Sequence, residues 1–211
     1  MLTQNSDLQL VLDLAGVFIF ALSGGLVAVS KRLDVVGVIV LAWVAGLGGG
    51  VIRDVLIGAV PPDGVTDWRV MSAACVAGVL TFFLHPRLAE ISRFVRVLDA
   101  GGLSLFAVAG ALKALAFAAP PIACVVVGVI TAVGGGLMRD VIVGRIPEVL
   151  RRELYAVPAL LGAVIVVAAA HWHHLTPLVL WLAVAVCFVV RMTAVMFDLN
   201  APRPLRTGDH S

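Results

Sequence analysis

Two segments of this chain, each eleven residues long, are nearly the same. Residues 48–58 read GGGVIRDVLIG and residues 134–144 read GGGLMRDVIVG, so a glycine triplet and an Arg-Asp pair return after 86 residues. The likeness extends at the same offset, without a gap, back to Asp13 and Asp99. A long self-similarity of this kind indicates two copies of one structural unit. Further matches are Gly16 with Gly102, Phe20 with Phe106, Gly24 with Gly110, and Pro61 with Pro147.

The composition sets the solvent in which these units fold. Hydrophobic residues make up 61% of the 211 residues and charged residues only 13%, with a mean hydropathy of +1.09. A soluble domain carries about a quarter charged residues, and a core of this size cannot hide so many apolar side chains from water. We therefore expect an integral membrane protein. The net charge of +2 is too small to indicate nucleic acid as a partner.

The apolar runs predict an all-α membrane protein. A helix needs about 20 apolar residues to cross the hydrocarbon core, and seven runs meet that length or approach it. The predicted spans are 8–30, 35–57, 69–85, 95–117, 121–143, 154–170 and 175–197. Short connections separate them, and the polar tail 200–211 is expected to be disordered.

The basic residues between the spans give an orientation. With the N-terminus outside, the inner connections hold most of the lysines and arginines, as the positive-inside rule requires. The inner set is Lys31, Arg32, Arg87, Arg93, Arg96, Arg145, Arg151, Arg152, Arg203 and Arg206. The outer side then holds mainly Arg69, with Arg53 near its boundary. We expect a multi-pass protein of the inner (plasma) membrane, with the N-terminus outside and the C-terminus in the cytoplasm.

An odd number of spans in each repeat makes the two repeats opposite in direction. Residues 1–90 hold the first three spans, residues 91–172 the next three, and residues 173–199 the seventh. The second unit therefore enters the membrane from the opposite face. Inverted three-helix repeats are a device of transporters and channels, with the substrate path near the middle of the bilayer between them.

Each glycine triplet lies inside a span, Gly48, Gly49 and Gly50 in span 2 and Gly134, Gly135 and Gly136 in span 5. A glycine costs a helix interior roughly 1 kcal/mol relative to alanine, so a triplet favours a bend or a break. A broken helix is tolerated in a bilayer only beside protein or water, which predicts two kinked helices that line a water-filled path. The alternative is close packing, because small residues let neighbouring helices approach. A phosphate-binding loop is excluded, because it needs a preceding strand and a βαβ unit.

Ionisable side chains inside spans are costly, and they indicate function. Asp13 and Asp99 occupy equivalent places in spans 1 and 4, where the alternative is a carboxylate wetted by headgroup water. Lys113 lies deeper in span 4, either as a side chain that snorkels outward or as a cation that faces the path. Hydroxyls within membranes mostly bond their own backbone. Those suited to hydrating a path are Ser23, Ser104 and Thr131.

The arginines of the two motifs need neutralisation in a membrane. Arg53 lies at the same depth as Asp13 near the outer surface, and Arg139 shares a depth with Asp99 near the inner surface, each within a helical turn. Because an arginine fork grips a carboxylate with two bonds, we predict an Arg53–Asp13 pair and an Arg139–Asp99 pair. Each pair frames one mouth of the path, and pairing removes the repulsion that the arginines would exert on cations.

Asp54 and Asp140 directly follow the two arginines. Adjacent residues on a helix do not face each other. We therefore expect both carboxylates to point away from the arginines, toward the helix bundle or a pore mouth, where they join the candidate pore residues.

The repeated motif also carries a family resemblance. GGGxxRDV twice, the opening DLAGVFIFALSGGL, the segment DAGGLSLFAVAGALKAL and the stretch RIPEVLRRELYAVPALLGA resemble the prokaryotic TRIC family of trimeric intracellular cation channels. The resemblance implies seven helices, as two inverted repeats plus a seventh, and a homotrimer whose subunits each hold a pore for K⁺ and other monovalent cations. Relatives described as glycine transporters keep a small-solute carrier with alternating access as the alternative. The lipid-binding motif of eukaryotic members is not matched at Lys113, Ala114 and Leu115.

The sequence gives little indication of catalysis or metal binding. It holds no Ser-His-Asp set, no HExxH motif, no zinc-spaced cysteines and no clustered catalytic carboxylates, so we expect no enzyme activity, cofactor or metal. The stretch HWHH at 171–174 is interpreted as part of an interfacial aromatic belt. Arg151, Arg152 and Glu153 flank an inner helix start, where we expect contact with anionic membrane lipids.

Overall fold

A computed structural model of the protein describes residues 2–85, 90–151 and 155–197. The predicted inner residues Arg87 and Arg152, together with Glu153 and the tail 200–211, lie outside the described residues. Nine helices lie within the described ranges. They are α1 (Leu2–Ser30), α2 (Val35–Leu56), α3 (Asp63–Thr66), α4 (Trp68–Leu84), α5 (Ile91–Ala116), α6 (Pro121–Ile142), α7 (Glu148–Arg151), α8 (Ala156–His171) and α9 (Pro177–Met196).

Short polar side chains set where several of the long helices begin. Asp34 caps α2 by accepting a hydrogen bond from Gly37 N at 2.8 Å, which satisfies an amide of the first turn. Thr176 caps α9 and Asp67 caps α4 in the same manner. Hydrogen bonds from the side chain and amide of Arg69 hold the pKa of Asp67 below its ordinary value.

Each of the seven predicted spans is a helix in the structure. Within the described residues, five helices are long and apolar enough to cross a membrane by length and composition, namely α1, α2, α5, α6 and α9. The apolar helices α4 and α8 are shorter, with 17 and 16 residues. The prediction of an all-helical membrane protein is therefore confirmed, whereas seven crossings in an inverted arrangement stay a prediction.

The helices of the two repeats pack in the same pattern. In the first repeat α1 packs against α2 and α4, and in the second α5 packs against α6 and α8. The repeats join through contacts of α1 with α5 and of α2 with α6, while α9 packs against α5 and α8. Four helices, α1, α2, α5 and α6, therefore form the centre of the molecule, and that centre positions the motif residues.

The two motif helices run through their glycine triplets without a break. Helix α2 continues from Val35 to Leu56, and helix α6 continues from Pro121 to Ile142. A break at the triplets, one of the two expected outcomes, is therefore wrong, and kinked helices that line a path stay a prediction. The backbone amides and carbonyls keep their partners inside each helix, which is the arrangement that hydrocarbon demands.

The glycines serve instead as the contact between α2 and α6. A Cβ added at Gly49 would overlap the carbonyl oxygen of Thr131, and a Cβ added at Gly135 would overlap the carbonyl oxygen of Ala45. A Cβ at Gly134 would lie 3.1 Å from Gly49 Cα. Close packing, the alternative weighed from the sequence, is thus what the triplets do. The close approach of two backbones offsets the low helix propensity of glycine.

Candidate functional site

A first cluster of charged side chains joins α1, α2, α3 and α5. It consists of Asp13, Arg53, Asp54, Asp63 and Lys113. The Arg53 guanidinium is buried and holds two carboxylates at once: Nη1 donates to Asp13 Oδ1 at 2.6 Å, and Nε donates to Asp54 Oδ1 at 2.8 Å. Bonds between ionised groups at such lengths are the stronger class of hydrogen bond. Arg53 is therefore neutralised within the protein.

Lys113 reaches the first cluster from the second repeat. Its Nζ lies 2.8 Å from Asp54 Oδ1 and also pairs with Asp63 Oδ2. Asp54 in turn accepts a hydrogen bond from the backbone amide of Asp63 at 3.0 Å, which fixes the start of α3. The Lys113 side chain is 10% exposed, and its ammonium is paired within the protein. This buried ammonium links α5 to α2 and α3.

A second cluster surrounds the other arginine and consists of Ser23, Asp99, Arg139, Asp140, Glu148, Tyr155 and Arg191. Arg139 Nη1 donates to Asp99 Oδ1 at 2.6 Å, and Nη2 donates to Asp99 Oδ2 at 3.1 Å, which is a two-bond grip. Ser23 Oγ donates to Asp99 Oδ1 at 2.6 Å and accepts a hydrogen bond from Arg139. Ser23 thus brings α1 into the site.

Both predicted arginine–aspartate pairs are confirmed, and one expectation about their neighbours is wrong. Arg139 Nε donates to Asp140 Oδ1 at 2.9 Å, as Arg53 does to Asp54. Adjacent side chains leave a helix in different directions. An arginine side chain is long enough to bend back along the surface of its helix. The guanidinium therefore binds two aspartates at once: its partner on α1 or α5 and the aspartate that follows it in the motif.

Sequence reasoning missed three residues of the second cluster. The Arg191 guanidinium carbon lies 4.3 Å above the centre of the Tyr155 ring, and Nη2 lies 3.4 Å from Glu148 Oε2. A cation over an aromatic face is attracted to the ring electrons. Arg191 and Tyr155 are 1% and 2% exposed. The available signal was an arginine in the apolar run of span 7, because an intramembrane charge indicates function.

The short helices after the two motifs are anchored alike. Glu148 N, at the start of α7, donates to Asp140 Oδ2 at 3.2 Å, as Asp63 N does to Asp54 at the start of α3. Each motif aspartate therefore binds its own arginine and the short helix that follows. Each aspartate is able to make both contacts because its side chain lies beside the arginine, and not pointing away from it as we expected.

The remaining candidate hydroxyls bond within their own helices. Ser104 Oγ donates to Ala100 O and Thr131 Oγ1 donates to Val127 O, each at 2.6 Å. Both side chains are fully buried. The expectation that intramembrane hydroxyls mostly bond their own backbone is confirmed for these two, and Ser23 is the exception among the three.

A pocket opens beside the first cluster. Its volume is about 20 Å³, which is room for about one water molecule. Charged groups line one part of it and apolar side chains line the rest. The lining residues include Asp13, Arg53, Asp54, Asp63, Leu47 and Phe106. The pocket therefore brings water-accessible space next to a buried guanidinium and three carboxylates.

Comparison with known proteins gives relatives over nearly the whole chain. The family model described as "Glycine transporter" matches residues 10–86 and 96–171, one segment in each repeat. A UPF0126 membrane protein of Streptomyces coelicolor is 50% identical over 199 residues, which cover 94% of this chain and 91% of that protein. The UPF0126 inner membrane protein YadS of Escherichia coli is 38% identical over 194 residues, or 90% of this chain and 93% of that one.

Solved structures agree with these relatives. The TRIC trimeric intracellular cation channel orthologue from Rhodobacter sphaeroides is 39% identical, covers 91% of this chain and 99% of its own, and superposes with a TM-score of 0.85. A prokaryotic TRIC channel determined in 0.5 M KCl is 30% identical, covers 93% of this chain and 100% of its own, and has the same TM-score. The fold of this chain is thus similar to that of known cation channels.

Proposed function

The chain belongs to the TRIC family of membrane proteins, which the glycine transporter family model also describes, and from that premise we propose that it is a channel for K⁺ and other monovalent cations. The structural neighbours are cation channels. The charged clusters supply a physical reason why cations are able to enter this chain.

The neutralisation of the buried arginines carries the proposal. Unpaired, Arg53, Arg139 and Lys113 would repel a cation from the centre of the molecule. Each of them is held by carboxylates at ion-pair distance. Around the pocket of the first cluster, three carboxylates face two cationic side chains. The local excess of negative charge favours a cation, and such a field raises the local concentration of counter-ions.

We place the path between the repeats. It starts at the pocket of the first cluster, passes beside the α2–α6 crossing at Gly48, Gly49 and Gly50, and leaves at the second cluster. The glycines at 134–136 form the other side of that crossing. A path of this kind uses α2 and α6 as walls together with α1 and α5, which carry the two paired aspartates.

The same packing pattern in both repeats supports two copies of one unit, and the three long helices in each unit give the copies opposite directions in the membrane. In this proposal the seven long helices cross the membrane, residues 1–90 and 91–172 form the two repeats, and residues 173–199 form the seventh crossing. The N-terminus lies outside and the C-terminus in the cytoplasm. Inverted repeats place a permeation path at their interface, near the middle of the bilayer.

We infer the assembly of the protein and its location from those of similar proteins. The similar channel of Rhodobacter sphaeroides is trimeric, and the similar protein of Escherichia coli belongs to the inner membrane. We propose a homotrimer in the inner membrane, with one path in each subunit and lipid around the exposed apolar faces. Light scattering with the detergent mass subtracted tests the trimer, and a monomer or dimer would contradict it.

Electrical recording tests the proposed channel directly. Purified full-length protein in planar bilayers with KCl on both sides should give discrete conductance steps that reverse at the K⁺ potential when a gradient is applied. Replacing K⁺ by a large organic cation should abolish them. Protein that never conducts, while reconstituted vesicles take up labelled glycine saturably, would overturn the proposal.

A glycine carrier is the second candidate, because the family model bears that description. The pocket also places a guanidinium beside carboxylates, groups that suit the carboxylate and the ammonium of a zwitterion, and in a carrier this water-sized space would have to widen to admit glycine. A carrier would show saturable uptake and counterflow, in which unlabelled glycine inside vesicles accelerates entry of labelled glycine. Flux that rises linearly with concentration and carries current would exclude it.

A further inference from the structure

The second cluster repeats the parts of the pocket that opens beside the first. Four residues that line that pocket have identical counterparts 86 positions later, namely Asp99, Gly136, Arg139 and Asp140. Asp99 is fully buried and Arg139 is 2% exposed. The second repeat therefore places the same motif residues around an ion pair that is shut off from water.

The ring of Tyr155 stands where the first repeat has open space. A Cβ added at Gly136 would lie 3.0 Å from Tyr155 Oη. The equivalent Gly50 lines the water-sized pocket, and a Cβ added there would find its nearest neighbour at 3.9 Å. Tyr155 is itself 2% exposed. The ring thus fills, in the second repeat, the position that the pocket has in the first.

Tyr155 is held in place from α9, the helix outside both repeats. The Arg191 guanidinium carbon lies 4.3 Å above the ring centre, and Arg191 is 1% exposed. Its Nη2 donates to Glu148 Oε2 at 3.4 Å, longer than an ordinary N–H···O bond. Its buried Nε has no hydrogen-bond partner among the residues that the structure describes. Arg139 grips Asp99 at 2.6 and 3.1 Å, so the polar contacts of Arg191 are the weaker set and break first.

A chain of contacts connects water to the motif through this ring. The Glu148 side chain is 30% exposed and pairs with Arg191. Arg191 covers Tyr155, whose hydroxyl approaches Gly136. Withdrawal of the ring would join the wetted edge of the cluster at Glu148 to the space beside the motif.

We propose that a second pocket, suited to a hydrated monovalent cation, lies beside Arg139, filled in the described conformation by the Tyr155 ring, and that it opens when the ring leaves Arg191. This inference rests on the proposed function, because it supplies the exit of the path at the second cluster. The opened pocket has three carboxylates and two cationic side chains, the same balance as the first cluster: Asp99, Asp140, Glu148, Arg139 and Arg191. The excess of carboxylates favours a cation. Since α9 carries Arg191, this helix controls the opening.

The first test measures access to the second pocket without any current. In a chain whose three cysteines are replaced by alanine, Ser23→Cys places a single thiol beside Arg139. In nanodiscs, a charged methanethiosulfonate reagent should modify this thiol about tenfold faster once Tyr155→Ala or Arg191→Gln removes the contact of cation and ring. Tyr155→Phe and Arg191→Lys should label as slowly as the parent, because a ring and a cation both remain.

Leu180→Ala is the matched control for these variants. Leu180 is also on α9 and is 1% exposed, and it lies roughly 16 Å along the helix axis from Arg191. The substitution removes buried apolar volume, so it should lower the melting temperature. It should leave the labelling rate at that of the parent, because it does not touch the ring.

Recording in planar bilayers separates the pocket from the channel. Tyr155→Ala and Arg191→Gln should raise the open probability for K⁺ by the same factor as the labelling rate. Faster labelling with silent bilayers throughout would support the pocket and reject the channel. K⁺ currents together with labelling no faster than in Leu180→Ala would overturn the pocket and leave the channel proposal standing.

Discussion

The two charged clusters begin from the same motif and end in different surroundings. In the first cluster, a Cβ added at Gly50 would find its nearest neighbour at 3.9 Å, whereas at the equivalent Gly136 it would meet Tyr155 Oη at 3.0 Å. The paired aspartate of the first cluster is 8% exposed, and that of the second is fully buried. One arginine therefore borders an open pocket, and the other lies in a packed interior.

The residue that closes the second cluster has no counterpart in the first. Tyr155 lies 86 positions after Arg69, whose side chain is half exposed and pairs with Asp67. Arg191 comes from α9, which lies outside both repeats. The difference between the clusters thus arises from what packs against the motif. A duplicated motif fixes the pairing chemistry, and its neighbours decide whether water reaches it.

The sharpest test of the sealed cluster is removal of its arginine. Arg139→Ala should lower the free energy of unfolding by about 3–5 kcal/mol, because it leaves the buried Asp99 carboxylate without its cationic partner and with the Ser23 hydroxyl as its remaining bond of those described. Thermal unfolding in detergent, followed by size-exclusion chromatography, measures the loss. The double variant with Asp99→Ala should be more stable than Arg139→Ala alone. Simply additive effects would mean that the two side chains are not coupled.

The same substitution in the open cluster should cost less. Arg53→Ala leaves Asp13 next to the pocket, where water is able to solvate it, and Asp54 keeps Lys113. We expect a loss of about 1–3 kcal/mol, the usual cost of a partly compensated polar group. The same unfolding assay compares the two arginine variants. An equal or larger loss for Arg53→Ala would break the distinction between an open and a sealed cluster.

Alanine at the third glycine of each triplet sharpens the comparison without changing charge. Gly136→Ala should destabilise by about 1–2 kcal/mol, because the new methyl group forces Tyr155 to shift. Gly50→Ala has room, and it should be neutral or stabilising by up to about 1 kcal/mol through better helix propensity. Melting temperatures of the two variants give the answer directly. Equal shifts would show that both sites are packed alike.

The smallest effect is expected at the rim of the open pocket. The Asp63 side chain is 53% exposed, so Asp63→Asn should change stability by less than about 1 kcal/mol. Its loss of charge should lower K⁺ conductance about twofold at low ionic strength and hardly at all in 1 M salt, where exposed charges are screened. Asp67→Asn is the control on the same side, since Asp67 pairs with Arg69 instead of facing the pocket. An equal change of conductance in both variants would show that Asp63 has no particular role in attracting cations to the pocket.

The helices and the two ion pairs were predictable because each follows from a short-range rule. Apolar runs fix the helices, and counting residues from each surface places Asp13 level with Arg53 and Asp99 level with Arg139. Depth along a helix is readable from sequence, since the rise per residue is constant. The rotation of one helix about another is not readable in the same way.

What failed in the sequence reasoning depended on contacts between distant elements. The triplets favour a break in an isolated helix, but α2 and α6 lie close enough for Gly49 and Gly135 to pack backbone against backbone. In an isolated span the Lys113 side chain could extend to the membrane surface, but in the folded protein its ammonium pairs with Asp54 and Asp63. Helix propensity and the reach of a side chain are properties of a single helix, and contacts between helices override them.

Two side chains cross from one repeat to complete the cluster of the other: Ser23 of α1 bonds Asp99, and Lys113 of α5 pairs with Asp54 and Asp63. During synthesis the first three long helices are made before Lys113. Until then Asp54 and Asp63 lack their ammonium partner, and the early bundle carries carboxylates in excess. The first cluster gains its second cationic side chain only when α5 packs beside α1. A chain that stopped before α5 would therefore hold an incomplete first cluster, with Arg53 but not Lys113 beside its three carboxylates.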